Sequence, residues 1–153
     1  MVPPPSVSDL TVHIGFWLRM VSNHVSHAFA AKLADKEVTV AEWCLMRSLY
    51  ATEPMPPSRV ADEMGMTRGA ITKLADRLIA KSLVVRAANA NDGRAQTLAL
   101  TKRGTDLVPV LAALADRNDA EFFDALTADE RRTLERLLKS LAERGHMTAI
   151  PVE

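Results

Sequence analysis

Residues 57–81 read Pro57-Ser58-Arg59-Val60-Ala61-Asp62-Glu63-Met64-Gly65-Met66-Thr67-Arg68-Gly69-Ala70-Ile71-Thr72-Lys73-Leu74-Ala75-Asp76-Arg77-Leu78-Ile79-Ala80-Lys81. A proline is tolerated at the first helical position, so Pro57 opens a short helix that runs through Ser58 to Met64. Gly65 stops it, as a residue in left-handed conformation would. Only Met66 and Thr67 then separate it from a second helix, Arg68 to Lys81, with Thr67 as N-cap. In that second helix Ile71, Leu74 and Leu78 form a narrow apolar stripe, while Arg68, Gly69, Thr72, Lys73, Asp76 and Arg77 point elsewhere. Two helices joined by so short a glycine-containing turn are the signature of a helix-turn-helix.

The next segment reads as a hairpin. Leu83-Val84-Val85-Arg86-Ala87 is β-prone, Asn89-Ala90-Asn91-Asp92-Gly93-Arg94 supplies turn residues with Asp92-Gly93 as the tight pair, and Gln96-Thr97-Leu98-Ala99-Leu100 returns. A hairpin directly behind a helix-turn-helix is a wing. Upstream, the linker Thr52-Glu53-Pro54-Met55-Pro56-Pro57 cannot be helical, because three prolines remove donors and disfavour the α-region before each. Before it, a helix fits Thr39 to about Ala51, with Val40, Trp43, Met46 and Leu49 on one face and Thr39-Val40-Ala41-Glu42 as a capping box.

The outer segments are helical by period. From Ser8 to Leu33, Leu10, Ile14, Trp17, Val21, Val25 and Phe29 recur every three or four positions, with Ser8 or Asp9 as the cap. Thr101 can cap a long helix from Lys102 to about Ala125, which Pro109 should kink. Thr127-Ala128-Asp129-Glu130 is a second capping box, opening a helix whose stripe of Leu134, Leu137, Leu138 and Leu141 ends near Gly145. The fold class expected is mainly α with a small β-hairpin wing.

Formal charge is zero over the 153 residues, yet its distribution is uneven. Residues 67–103 hold eight of the basic side chains (Arg68, Lys73, Arg77, Lys81, Arg86, Arg94, Lys102, Arg103) against Asp76 and Asp92, so the helix-turn-helix and wing carry +6. That segment is where a polyanion would dock, although composition alone fits an ordinary solvated face equally well.

Other classes find little support. The single cysteine, Cys44, permits no intramolecular disulfide and no multi-cysteine metal site. It reads as a buried, inert thiol, with a peroxide-sensing thiolate as the alternative. His24 and His27, with His13 elsewhere on the same helix, lack the nearby carboxylate or cysteine a zinc site needs, so no metal or cofactor is expected. A phosphate-cradling glycine loop, a nucleophile elbow and an HExxH pair are all missing from the sequence, so no enzyme is expected. The opening Met1-Val2-Pro3-Pro4-Pro5-Ser6 has neither a basic nor an apolar leader segment, and a cytoplasmic protein is expected.

The order helix, helix, helix-turn-helix, wing, long helix, helix resembles the MarR family (multiple antibiotic resistance regulators). The most specific stretch is Asp92-Gly93-Arg94 followed by Leu98-Ala99-Leu100-Thr101-Lys102-Arg103-Gly104, similar to that family's D-x-R wing tip and the L-T-x-x-G that leads into the next helix. Glu42-Trp43 with Leu49, Val60 to Met66 and Ile71 to Leu78 support it. Two departures stand out: Pro56 occupies the usual Ser or Thr cap, and the first helix lacks the cysteine of the family's peroxide-sensing branch.

The resemblance implies a ligand-responsive regulator, a repressor by expectation, that binds an inverted-repeat operator in double-stranded DNA as a homodimer. It makes residues 67–80 the recognition helix. Arg68 then suits a guanine, Thr72 a thymine methyl and Lys73 a phosphate, with Gly69 and Arg77 on the same outward face. Arg94 at the wing tip suits a narrow minor groove, Asp92 would orient Arg94 or Arg77, and Arg86, Lys102 and Arg103 suit phosphates. Residues 38–100 become the DNA-binding lobe, 8–37 and 101–146 the helical dimerisation lobe, and 1–7 a disordered proline-rich tail. Leu10, Ile14, Leu134, Leu138 and Leu141 are interface candidates, and burial within one chain would explain any of them equally well. A small aromatic or phenolic acid is the implied effector, with His13, Trp17, Met20, His24, Trp43 and Arg47 as candidate lining. The rival reading is a winged helix used only as a protein-interaction module.

Overall fold

The computed structural model describes residues 1–89 and 92–153, with backbone alone for 89 and 92–95. It contains α1 (Ile14–Ala34), α2 (Val40–Leu49), α3 (Pro57–Met64), α4 (Arg68–Ala80), β1 (Val84–Asn89), β2 (Asp92–Leu100), α5 (Lys102–Phe123) and α6 (Ala128–Arg144).

Each element begins where local chemistry allows. Thr39, Thr67, Thr101 and Thr127 are extended N-caps, and each side-chain oxygen accepts a backbone N–H three residues on, satisfying one orphan donor of its helix. Thr127 and Glu130 complete the reciprocal capping box. Thr39 and Glu42 do not. The Glu42 carboxylate turns inward, 2% exposed, and accepts the Lys81 ammonium at 2.7 Å. A buried carboxylate gains more from a cation than from a second amide, so the box yields to a tertiary ion pair.

The first helix differs from the period-based expectation. Leu10–Val12 form one turn of 3-10 helix, His13 is extended, and α1 starts only at Ile14. The Trp17 indole N–H donates to the Thr11 carbonyl at 2.9 Å, holding that turn against the helix in place of a Ser8 or Asp9 cap. Residues 1–9 are exposed and carry no regular element.

The wing also differs in detail. β1 and β2 pair antiparallel from Val84↔Leu100 to Ala88↔Gln96, and a register shift then sets Asn89 against Asp92. Asp92-Gly93 therefore lies within β2 and is not the tight-turn pair. The proline linker adds a third, one-residue strand: Met55 N–H donates to the Leu98 carbonyl at 3.0 Å, and Leu98 N–H returns to Met55 at 2.7 Å. Pro54 and Pro56 flank Met55, limiting that strand to one residue.

The apolar core lies beneath the helix-turn-helix. Leu45, Met46, Val60, Met64, Ile71, Leu78, Leu83 and Leu98 are fully buried there, and Leu33, Val108 and Leu111 bring α1 and α5 onto it. The two long helices are tied further along by Asn118, buried, whose side-chain N–H donates to the Val25 carbonyl (3.1 Å) while its oxygen accepts from Lys32 (2.9 Å). The first half of α1 and all of α6 lack such cover within the chain. Ile14 is 84% and Leu141 58% exposed, and among the described residues no side chain of α6 is buried.

Candidate nucleic-acid interface

The turn between α3 and α4 is closed by backbone geometry. Gly65 sits at φ 65°, ψ 35°, and Met66 N–H bonds the Ala61 carbonyl at 3.0 Å while Gly65 N–H bonds Asp62 at 3.3 Å. This is a Schellman stop, which needs the left-handed residue glycine supplies. Two residues later Thr67 opens α4, with its oxygen 3.1 Å from Ala70 N. The arrangement buries Ile71, Leu74, Ala75 and Leu78 and leaves Arg68, Gly69, Thr72, Lys73 and Arg77 exposed on the opposite side. The outward positions expected on the recognition helix thus share one solvent face. Thr72 has its hydroxyl committed to the Arg68 carbonyl at 3.0 Å, which leaves its methyl as the part able to meet a base.

The remaining expected contacts divide. Arg86 on β1 is half-buried and its guanidinium donates to Asp76 of α4 at 3.0 Å, so it braces the wing against α4. Arg103 donates to the Lys81 carbonyl at 2.9 Å, a cation on the carbonyl end of α4. Lys102 is exposed and pairs with Asp106 at 2.9 Å; that carboxylate holds the ammonium above its ordinary pKa. The expectations for the Asp92 and Arg94 side chains fall outside the described residues.

Gly104 explains the L-T-x-x-G stretch physically. A Cβ placed there would lie 2.1 Å from the Leu83 carbonyl oxygen. Thr101 works at the same joint: its hydroxyl donates to Ser82 O (2.7 Å) and its N–H to Leu83 O (3.1 Å). Both feet of the wing are therefore pinned where α4 ends and α5 begins.

Behind the basic face, a cleft of about 350 Å³ lies where α1, α2 and α5 meet. Phe29, Trp43, Cys44 and Asn118 line it together with Ile150 and Pro151. Of the six residues suggested for an effector, Trp43 alone is in this lining. His13, just before α1, and Trp17, Met20 and His24 on its outer half are exposed, and Arg47 is exposed with its guanidinium 5.6 Å from the Tyr50 ring centre. The resemblance put residues of the outer turns forward, whereas the part of α1 that lines this cleft is its later turns, at Val25, Ser26 and Phe29. Burial pushes the Cys44 thiol above its ordinary pKa, which disfavours the thiolate a peroxide sensor needs. Among the described residues no cluster of three metal-ligating side chains occurs, and no helix is long and apolar enough to cross a membrane.

Comparison with known proteins gives a consistent neighbourhood. The MarR family profile matches residues 36–95, the helix-turn-helix and most of the wing. The multiple antibiotic resistance protein MarR of Escherichia coli (strain K12) is 29% identical over 140 residues, covering 89% of this chain and 97% of that protein. A crystal structure of a mutant MarR from E. coli complexed with operator DNA is 29% identical, with a TM-score of 0.75 over 88% of this chain and 99% of the other. A probable transcriptional regulator from Pseudomonas aeruginosa superposes with a TM-score of 0.76 at 26% identity, covering 87% of this chain and 99% of that one.

Proposed function

We propose that this chain, whose helix-turn-helix and wing match the MarR family profile, is a ligand-responsive regulator, a cytoplasmic repressor that binds an inverted-repeat operator as a homodimer. The observation that carries this reading is the exposed basic face of α4, set by a closed turn and braced by the wing. Arg68 and Thr72 read base edges in the major groove, Lys73 and Lys102 meet phosphates, and Arg94 reaches the minor groove. Arg86 and Arg103 serve by holding the wing and α5 in register with α4, because their guanidinium groups already bond Asp76 and Lys81. The MarR structure with operator DNA supports the same docking here.

The dimer rests on uncovered apolar surface. Leu10, Ile14, Trp17 and Val21 at one end of the chain, and Leu137, Leu138 and Leu141 at the other, are all exposed large hydrophobics. A second copy covering both sets removes that surface from water and brings two recognition helices to half-sites about one DNA turn apart. The lobes are then 38–100 for DNA and 8–37 with 101–146 for dimerisation. The cleft at Trp43 takes a small aromatic acid whose binding shifts the spacing of the two recognition helices and releases DNA.

Fluorescence anisotropy on DNA from around the gene tests this, with a salt series. Affinity should fall steeply with salt through counterion release, and sedimentation should give a dimer that Leu137→Asp/Leu141→Asp splits. A binding curve flat in salt would favour the protein-interaction module instead.

A further inference from the structure

Beyond α6 the chain turns back. Met147 N–H bonds the Ala142 carbonyl (2.9 Å) and His146 N–H bonds Glu143 (3.2 Å), with His146 left-handed at φ 51°. Residues 147–153 then cross to the helix-turn-helix and touch it at several points. Ile150 N–H donates to the carbonyl of Met64, the last residue of α3, at 3.1 Å. Ala149 lies so close to Gly65 that a Cβ on Gly65 would be 2.7 Å from Ala149 Cα. Ile150 and Val152 are half-buried against the core, and the Cys44 thiol donates to the Pro151 carbonyl at 3.9 Å.

This one segment therefore has two surfaces. Ile150 and Pro151 form a wall of the cleft beside Trp43 and Cys44. The Ile150 amide, on the same residue, splints the turn that presents α4. Ile150 supplies both the wall and the amide, so displacing the wall pulls on the splint. The hold on the helix-turn-helix and cleft is also slight: among the described residues, one backbone bond, one weak thiol bond and two half-buried side chains secure the segment there. Such a segment opens locally while the core stays folded.

We propose that residues 147–153 are a detachable strap that couples the cleft to the helix-turn-helix: an aromatic group filling the cleft displaces Pro151, and the turn at Met64–Thr67 loosens with it. The identity of the aromatic group as an effector rests on the regulator reading above; the mechanical coupling does not.

Cys44 is the chain's one cysteine, so its alkylation reports on the cleft wall. In an Ile150→Ser/Val152→Ser variant, iodoacetamide should modify Cys44 at least fivefold faster than in the wild type. Amide hydrogen exchange in peptides spanning residues 60–72 should quicken, while exchange at Leu74–Leu78 stays unchanged. A second route leaves the sequence intact. Labelling wild-type Cys44 with N-phenylmaleimide places an aromatic ring in the cleft covalently and should quicken exchange over the same turn. An unchanged alkylation rate would show that the strap does not cover the cleft. Turn exchange that ignores both the variant and the label would overturn the coupling. Neither readout uses DNA, so a failure of operator binding would be recognised separately as a failure of the regulator reading.

Discussion

Gly104→Ala is the substitution whose consequence can be worked most directly from geometry. The added methyl carbon would sit 2.1 Å from the Leu83 carbonyl oxygen, 3.1 Å from its carbon and 3.2 Å from Leu100 Cδ2. A carbon-to-oxygen contact relaxes at about 3.3 Å or more, so the start of α5 must retreat from Leu83 by roughly 1 Å. The obstacle is backbone held in place on both sides, by Leu83 N–H on Leu78 and by Thr101 N–H on Leu83 itself. No rotamer change relieves it. Overpacking of this kind costs about 2–3 kcal/mol, which for a chain of this size lowers Tm by roughly 4–12 °C. Because Ser82–Leu83 and Thr101 are the feet of the wing, operator affinity should fall too, through tilt of the hairpin relative to α4. Thermal unfolding by circular dichroism at fixed protein concentration reads the first effect, and anisotropy at a temperature well below Tm reads the second. A Tm within about 2 °C of the wild type would mean that the joint gives way easily, and the explanation of the L-T-x-x-G stretch would be wrong.

Three further outcomes are expected. Arg68→Ala should cost about 1–3 kcal/mol of operator binding and relax preference at one base pair, whereas Lys73→Ala should weaken all sequences alike and lower the salt slope by about one; identical profiles for the two would refute the division of roles. Lys81→Met strands the buried Glu42 carboxylate and should destabilise by about 2 kcal/mol, less than a fully buried pair because Lys81 is partly exposed, and Glu42→Leu added to it should recover much of the loss in urea unfolding. Glu130 accepts the Thr127 backbone N–H, which holds its carboxyl below the ordinary 4.5, so its contribution to α6 is present at neutral pH and fades as pH falls through the lowered value. Glu130→Gln should flatten that acid dependence of helicity, and a profile equal to the wild type would exclude the capping box as its source.

The helix-turn-helix was legible because its determinants are local. A proline that can start a helix, a glycine that can turn left-handed and a threonine that can cap are properties of single residues, and Pro57, Gly65 and Thr67 act as their types predict. The apolar period of α4 likewise needs no partner to be read, since any core selects the same face. Period could not say where α1 begins, because the Leu10–Val12 turn depends on Trp17 folding back onto it. Nor could it say which face of α1 meets α2 and α5, so the cleft lies at Phe29 and Trp43 and not at the outer histidines. Arg86 and Arg103 look like phosphate ligands as sequence, but tertiary distance gives them Asp76 and a helix-end carbonyl as partners. The same holds for Glu42, which left its capping box for Lys81, 39 residues away. Local backbone preference and hydrophobic period are written into neighbouring residues, and so the sequence by itself determined the elements, their order and the basic face of α4. Which charges neutralise one another, and which segment closes a cleft, depend on distances between residues far apart in the chain, and those only the folded structure decided.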